Sequence, residues 1–222
     1  MGFPSVNRFR TLRGRILRKQ IETLAHFLGR DIIILDVGGR PDYWANVGVG
    51  QVARIDLLNH EADEMERALP ADMPEGLFDR RIGDARDLSD YGDQSVDLVH
   101  SNSVIEHVGN WRDMHAMARE LMRVGLSGWV QTPAWEFPIE PHLRAPFGHW
   151  FGKPAQTTML WLSARREIRS LTRPQRRELV ESYNLLSKGE IRSLFPGRPI
   201  LTERIILAKS YVVHWLPEGV ET

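Results

Sequence analysis

"IIILDVGGRPDYW", residues 32–44, runs four apolar residues into an acid, a glycine pair, an arginine, a proline and an aromatic pair. The apolar run is continuous, not alternating, which is how a strand buried on both faces of a parallel sheet reads. Gly38-Gly39 then marks a turn where the backbone must approach something closely. Outward from this stretch the signature recurs. "VARIDLL" (52–58) follows only about fourteen residues after the glycines, so the helix between is short. "LFDRRIGDARDL" (77–88) holds a third strand ending at Gly83-Asp84, "SVDLVHSN" (95–102) a fourth, and "GWVQTP" (128–133) a fifth, closed by Pro133. Helical patterns cover Glu61–Leu69 and Trp111–Val124, the latter broken by Gly125. Strands and helices alternating at this spacing predict an α/β, Rossmann-like doubly wound sheet, mostly parallel.

The flanks differ. Phe9, Leu12, Ile16, Leu17, Ile21, Leu24 and Leu28 recur at three- and four-residue spacings, one apolar stripe on a basic helix over Arg8–Leu28. Residues 134–160 carry prolines among aromatic residues and histidines, too irregular for a regular element, and read as a packed loop over the sheet's carboxyl end. A basic helical stretch to about Tyr183 follows, then a capped helix, "SKGEIRSLFPG" (187–197), and two strands, "PILTERIIL" (199–207) and "KSYVVHW" (209–215).

Composition narrows the function. With 222 residues, 42% of them hydrophobic, the chain suits one domain with a sizeable core. Twenty-nine basic residues balance twenty-nine acidic ones, so no global field recruits nucleic acid or an anionic membrane. Two arginine clusters, Arg8 to Lys19 and Arg165 to Arg177, hold no aromatic residue but Phe9 and read as solvated helix faces. The absence of cysteine excludes disulfides, thiolate metal sites and cysteine nucleophiles. No apolar run approaches the roughly eighteen residues of a membrane span. The arginine-rich start lacks a signal-peptide core, and Val6 stands where myristoylation wants Ser or Thr, so a soluble cytoplasmic protein is expected. A dinucleotide site is excluded, because Gly38, Arg40 and Tyr43 stand in the frame of G-x-G-x-x-G.

In an open parallel sheet, ligands sit beyond the strands' carboxyl ends, which gives weight to the polar residues there: Asp36, Asp56 to Asn59, Asp84, Asn102, Ser103 and Thr132. "ILDVGGRPDYW", "GDARDL", "SVDLVHSNSVIEHV" and "MARELMRVGLSGWVQTP", in that order and spacing, resemble the class I S-adenosylmethionine-dependent methyltransferases over roughly residues 31–133. "FPIEPHLRAPFGHW" (137–150) further resembles bacterial small-substrate members. The resemblance implies their seven-stranded fold, with an antiparallel C-terminal edge strand. It divides a single domain into an N-terminal helical lid (1–30), a cofactor-binding core (31–133), a substrate-side insertion (134–183) and a C-terminal helix with two strands (184–222).

It also implies roles. Asp36, Gly38 and Gly39 would lie beneath the methionine part of S-adenosylmethionine, which leaves as S-adenosylhomocysteine. Asp56 or Asn59 would take the ribose hydroxyls, Asp56 being favoured because a carboxylate accepts two hydrogen bonds. Asp84 would take the adenine amino group beside Ala85, and Asn102 and Ser103 would line the methionine end. The family pattern wants glycine near positions 40 and 42; Arg40, Pro41 and Asp42 stand there, and Arg40 is free to meet the cofactor carboxylate. Methyl transfer to a hydroxyl needs a base, for which His107, His142 and His149 are the candidates. Some relatives bind a divalent metal through E-x-x-E-H; here Ser103 replaces the first carboxylate, so no metal is expected. Trp135, Phe137, Phe147, Trp150 and Phe151 form either a substrate wall or a cover for the sheet. The expected activity is methyl transfer to a small-molecule or glycan-type acceptor, at oxygen. The rivals are a non-catalytic module that kept the fold and an RNA methyltransferase.

Overall fold

The structure is a computed structural model that describes residues 6–61, 73–138 and 147–220. Its centre is a seven-stranded sheet of β1 (Ile32–Val37), β2 (Val52–Asn59), β3 (Phe78–Ile82), β4 (Val96–Asn102), β5 (Gly125–Pro133), β6 (Ile200–Arg204) and β7 (Ala208–Trp215). The spatial order is β3-β2-β1-β4-β5-β7-β6. β7 inserts antiparallel between β5 and β6, and the other neighbouring pairs are parallel. The order reverses between β1 and β4, so the loops leaving these two strands diverge and open a crevice.

β1 explains why its sequence is apolar throughout. Ile32 and Ile34 join a core cluster with Leu17, Ile21 and Leu24 of α1 (Val6–Leu28) and with Trp44 of α2 (Pro41–Val47). Leu35 and Val37 point the other way, to Met114, Met117 and Leu121 of α3 (Trp111–Val124). A strand with a helix layer on each side needs apolar residues in both phases of its pleat.

α1 is fastened as well as packed. Gln20, fully buried, donates from Nε2 to the carbonyls of Gly128 and Trp215 at 3.1 Å each. Arg18 donates to the Val47 carbonyl, and Arg13 pairs with Glu203 at 3.3 Å. From Leu17 onward the stripe expected of a lid is one wall of the core, and Arg10, nearer its start, reaches the crevice. α3 opens on a capping box, Asn110 with Asp113, and leads directly into β5 at Gly125.

The stretch after β5 holds the expected helical segment before Tyr183 and, in addition, a short helix within 134–160. It contains α4 (Lys153–Met159), α5 (Arg166–Arg169) and α6 (Arg173–Glu181), gathered around a small cluster of Leu160, Ile168, Val180 and Tyr183. α7 (Lys188–Leu194) follows, with its capping box at Ser187 and Glu190. Residues 62–72, which hold most of the expected acidic helix, and residues 139–146, which hold His142, lie outside the described residues. Among the described residues no helix is long and apolar enough to cross a membrane.

Candidate functional site

The glycine turn is built around Asp36. Gly38 has φ +69°, and a Cβ there would lie 2.4 Å from a Val104 methyl. A Cβ on Gly39 would lie 2.0 Å from the Asp36 carboxyl group. Both glycines are therefore required, the first by conformation and contact and the second by contact alone. The chain then enters α2 at once. Arg40 is extended at the N-cap and Pro41 occupies the first turn, where its missing N–H costs nothing. Arg40 remains half exposed, its guanidinium 3.7 Å from the Asp42 carboxylate.

What a third glycine would have left open, aromatic side chains occupy. Trp44 is fully buried and donates from Nε1 to Asp36 Oδ2 at 2.7 Å. The other carboxylate oxygen, Oδ1, lies 2.6 Å from His100 Nδ1, both residues being 1% exposed. His100 is the register partner of Asp36 across β1 and β4. Its ring packs against Tyr43 (centroids 4.7 Å apart) and Trp44 (5.0 Å), and its Nε2 is buried without a hydrogen-bond partner. Burial pushes the Tyr43 phenol well above its ordinary pKa. His100 was not among the sequence candidates. The available signal was a histidine directly after the apolar pair of "VDLVHS", at the same strand depth as Asp36.

The crevice has two lobes. The larger, about 690 Å³, is lined by Asp36, Gly38, Gly39, Arg40, Asn59, Asn102 and Ser103, and also by Arg10, Tyr43, His100 and His107. The smaller, about 290 Å³, is lined by Asp84 and Ala85 and shares Gly38, Asn59, Val104 and His107 with the first. All but one of the expected cofactor residues thus meet in one cleft. The exception is Asp56, which lines neither lobe. It lies three residues before the end of β2, is 1% exposed, and pairs with Arg54 at 2.7 Å and Arg81 at 3.7 Å. The strand runs on to Asn59, whose Nδ2 donates to the Gly39 carbonyl at 2.9 Å, and Asn59 occupies the strand end.

Asp84 accepts from the Arg86 backbone N–H at 2.9 Å and from its guanidinium at 2.6 Å. That guanidinium holds the carboxyl below the usual carboxylate range. Ser103 adopts a left-handed φ of +58° as β4 ends, and its hydroxyl donates to Gln131 Oε1 at 3.1 Å. A non-glycine residue in that conformation stores about 1–3 kcal/mol of strain, which clusters at sites and switches.

The histidines separate. His107 lines both lobes and donates from Nδ1 to the Ser182 carbonyl at 3.0 Å. His149 donates from Nε2 to the Trp135 carbonyl at 2.8 Å and lines a different cavity, about 670 Å³, between the start of α3 and the end of α6. The structure therefore does not bring His149 to the cleft that holds His107. Glu106 points into the core and accepts from Thr132 Oγ1 at 2.9 Å, clamping β5. Among the described residues no group of three or more His, Asp or Glu is placed to hold a metal ion. Trp135, Phe147, Trp150 and Phe151 are each about 40–50% exposed; the Trp150 ring meets those of Trp135 and Phe147, and Trp135 lines the His149 cavity.

A sheet of this order with a cleft at its β1/β4 switch point defines a class I methyltransferase fold. Residues 35–128 match the family described as "Methyltransferase domain". Three solved structures share the fold. WbdD in monomeric form is 16% identical with a TM-score of 0.57, covering 91% of this chain and 40% of its own. An O-methyltransferase family protein from Burkholderia thailandensis is 13% identical with a TM-score of 0.56, covering 96% and 60%. A Rhodobacter sphaeroides protein provisionally assigned to zinc-dependent alcohol dehydrogenases is 10% identical with a TM-score of 0.55, covering 89% and 90%. The chain thus spans less than two thirds of the length of WbdD and of the Burkholderia protein. At these identities the likeness establishes the fold, not the reaction. No curated protein matches the chain.

Proposed function

We propose that the cleft binds S-adenosylmethionine and that the protein transfers its methyl group to a small-molecule or glycan-type acceptor, at oxygen. The observation that carries this reading is the two-lobed cleft at the switch point, roofed by a glycine turn that admits no Cβ. The methyltransferase-domain match over residues 35–128 supports it, and the O-methyltransferase family of the Burkholderia neighbour supports oxygen as the acceptor atom. Bound there, the cofactor supplies an electrophilic methyl group on a sulfonium.

The residues present fit such a ligand. In this reading Asn59, at the tip of β2, would take the ribose hydroxyls, and Asp84 with the Ala85 backbone the adenine amino edge; all three line the cleft. Arg40 and Arg10 bring two guanidiniums to the larger lobe, which suits a carboxylate. The protein's task is alignment of a donor and an acceptor for in-line displacement. His107 lines the cleft and is the candidate base for the acceptor hydroxyl. The arginine clusters do not favour RNA: Arg169 and Arg176 donate to backbone carbonyls at 2.6 and 2.7 Å.

Calorimetric titration of S-adenosylhomocysteine into the purified protein tests the reading. Micromolar binding, weakened at least tenfold by Asp84→Ala, is expected. A folded protein that binds neither S-adenosylmethionine nor S-adenosylhomocysteine refutes it and leaves a non-catalytic module of the same fold.

A further inference from the structure

We infer that the protein docks on an anionic lipid surface through the turn between β6 and β7, which presents the cleft end of the sheet to the bilayer.

The turn departs from the chemistry of a hairpin. Arg204 pairs with Ala208, and Ile205, Ile206 and Leu207 form the three-residue loop between them. Such a loop ordinarily takes Gly, Asn or Asp, which accept the backbone of a turn and face water without cost. Here two β-branched residues and a leucine stand in their place. None of the three enters the core: Ile206 is 89% exposed, Leu207 43% and Ile205 36%, while Ala208, the next residue, is buried. Aliphatic side chains held in water at an apex, against the local rule for that position, mark a contact surface.

The surrounding charge selects the partner. Arg204 is exposed at the foot of the turn, and Lys209 on the other strand has its Nζ 4.3 Å from the centre of the Phe9 ring, near the start of α1. Arg10 and Arg13 of α1 stand near enough to bear on the Lys209 charge. The acid among them, Glu203, is engaged by Arg13 at 3.3 Å and by the Ser210 hydroxyl. The chain is neutral overall, so this excess of positive charge is local. An apolar apex ringed by cations is complementary to an anionic headgroup layer over hydrocarbon. A second copy of the chain is a poorer occupant, because a two-fold contact sets each cation close to its own copy.

The same end of the sheet carries half-exposed indoles. β7 runs antiparallel to β5 with Ser210 opposite Pro133, and the Ala134 N–H donates to the Lys209 carbonyl at 3.0 Å. Trp135 therefore leaves β5 beside the strand that follows the turn, and its ring meets that of Trp150. Such rings, apolar in body and polar at one edge, suit the headgroup layer. The cleft opens at this end too, and Arg10 lines it.

Co-sedimentation with lipid vesicles, without cofactor, tests the inference. The probes are vesicles of phosphatidylcholine alone and of equal parts phosphatidylcholine and phosphatidylglycerol. The wild type is expected to bind the mixed vesicles and to bind the neutral ones several-fold more weakly. Ile206→Ser, at an exposed position that leaves the core intact, is expected to lower binding to the mixed vesicles about tenfold. Arg204→Gln, which removes one cation near the surface, is expected to lower it about fivefold. Wild-type protein that sediments with neither vesicle, or an Ile206→Ser protein that binds like the wild type, overturns the inference. So does a dimer in light scattering that Ile206→Ser converts to a monomer, which would assign the turn to a second copy. Because the assay contains no cofactor, its failure leaves the methyl-transfer reading standing, and a failure of S-adenosylhomocysteine to bind in calorimetry leaves the docking surface standing.

Discussion

Gly39→Ala isolates the close approach on which the cleft depends. Gly39 does not have a left-handed φ, so alanine accepts the backbone, and fewer unfolded conformations alone would stabilise the variant by about 0.4–1 kcal/mol. The contact opposes this. The new methyl would stand 2.0 Å from Asp36 Cγ and Oδ2, and 2.7 Å from its Cβ. An ordinary separation is about 3.5 Å, so chain or carboxylate must move by roughly 1.5 Å. The hydrogen bonds at 2.7 Å to Trp44 and 2.6 Å to His100 do not both survive that displacement. Overpacking costs about 1–3 kcal/mol, and one lost buried bond to a charged group about 1.5–3 kcal/mol. The net is a destabilisation of about 2–5 kcal/mol, a drop in Tm of roughly 4–20 °C for a chain of this size. Urea unfolding followed by tryptophan fluorescence measures it. Gly29→Ala is the control: φ there is +66°, but nothing lies within 4 Å, so it costs only the left-handed strain of about 1–2 kcal/mol. A Gly39→Ala protein within 0.5 kcal/mol of the wild type would refute the close-approach account.

Two further outcomes follow from the same coordinates. Deleting residues 1–28 removes Leu17, Ile21 and Leu24 from the core; at about 1.5–3 kcal/mol each this is roughly 5–9 kcal/mol, comparable to the whole stability of a domain. The truncated chain should lose its cooperative urea transition, and a folded truncation with normal unfolding would show α1 to be a separable lid. Asp84 should titrate below the ordinary carboxylate range because of Arg86. Its folded pKa is depressed, so its small stabilising contribution is present above the unfolded pKa and lost as pH falls through the folded one. NMR titration of the Asp84 carboxyl in wild type and Arg86→Ala should show the pKa rise in the variant, and an unchanged value would mean the guanidinium is not its cause.

The sheet was legible where burial on both faces makes composition itself the signal. Ile32–Leu35 could not be a half-exposed strand, and α3 is bounded by Asn110 and Gly125, whose local chemistry marks both ends. The insertion after β5 was legible only in part: the basic helical stretch to about Tyr183 contains α5 and α6, but α4 was hidden in a stretch read as irregular, because it is short and packs beside a cluster with no continuous periodicity. The choice between Asp56 and Asn59 turned on strand register. Only the pairing of Leu35 with Asp56, and of Asn59 with Ile82, fixes which residue reaches the end. His100 was hidden for the same reason: its partner, Asp36, is 64 residues away in the chain and adjacent only across the β1/β4 pairing.

The departure at Arg40-Pro41-Asp42 is therefore a rebuilt loop, not a decayed one. Decay would relax the demands on the turn, yet Gly38 and Gly39 still stand where any side chain collides. It would also leave nothing to hold a carboxylate and an imidazole at 1% exposure beneath that turn. Burying such a pair is expensive, and apolar residues of similar volume are often as stable or more so. An imidazole nitrogen left without a partner adds about 1–3 kcal/mol. Trp44 and Tyr43, supplied by the short helix that begins where further glycines would have continued the loop, are what make the arrangement rigid. These contacts tie the loop, α2 and the middle of β4 together.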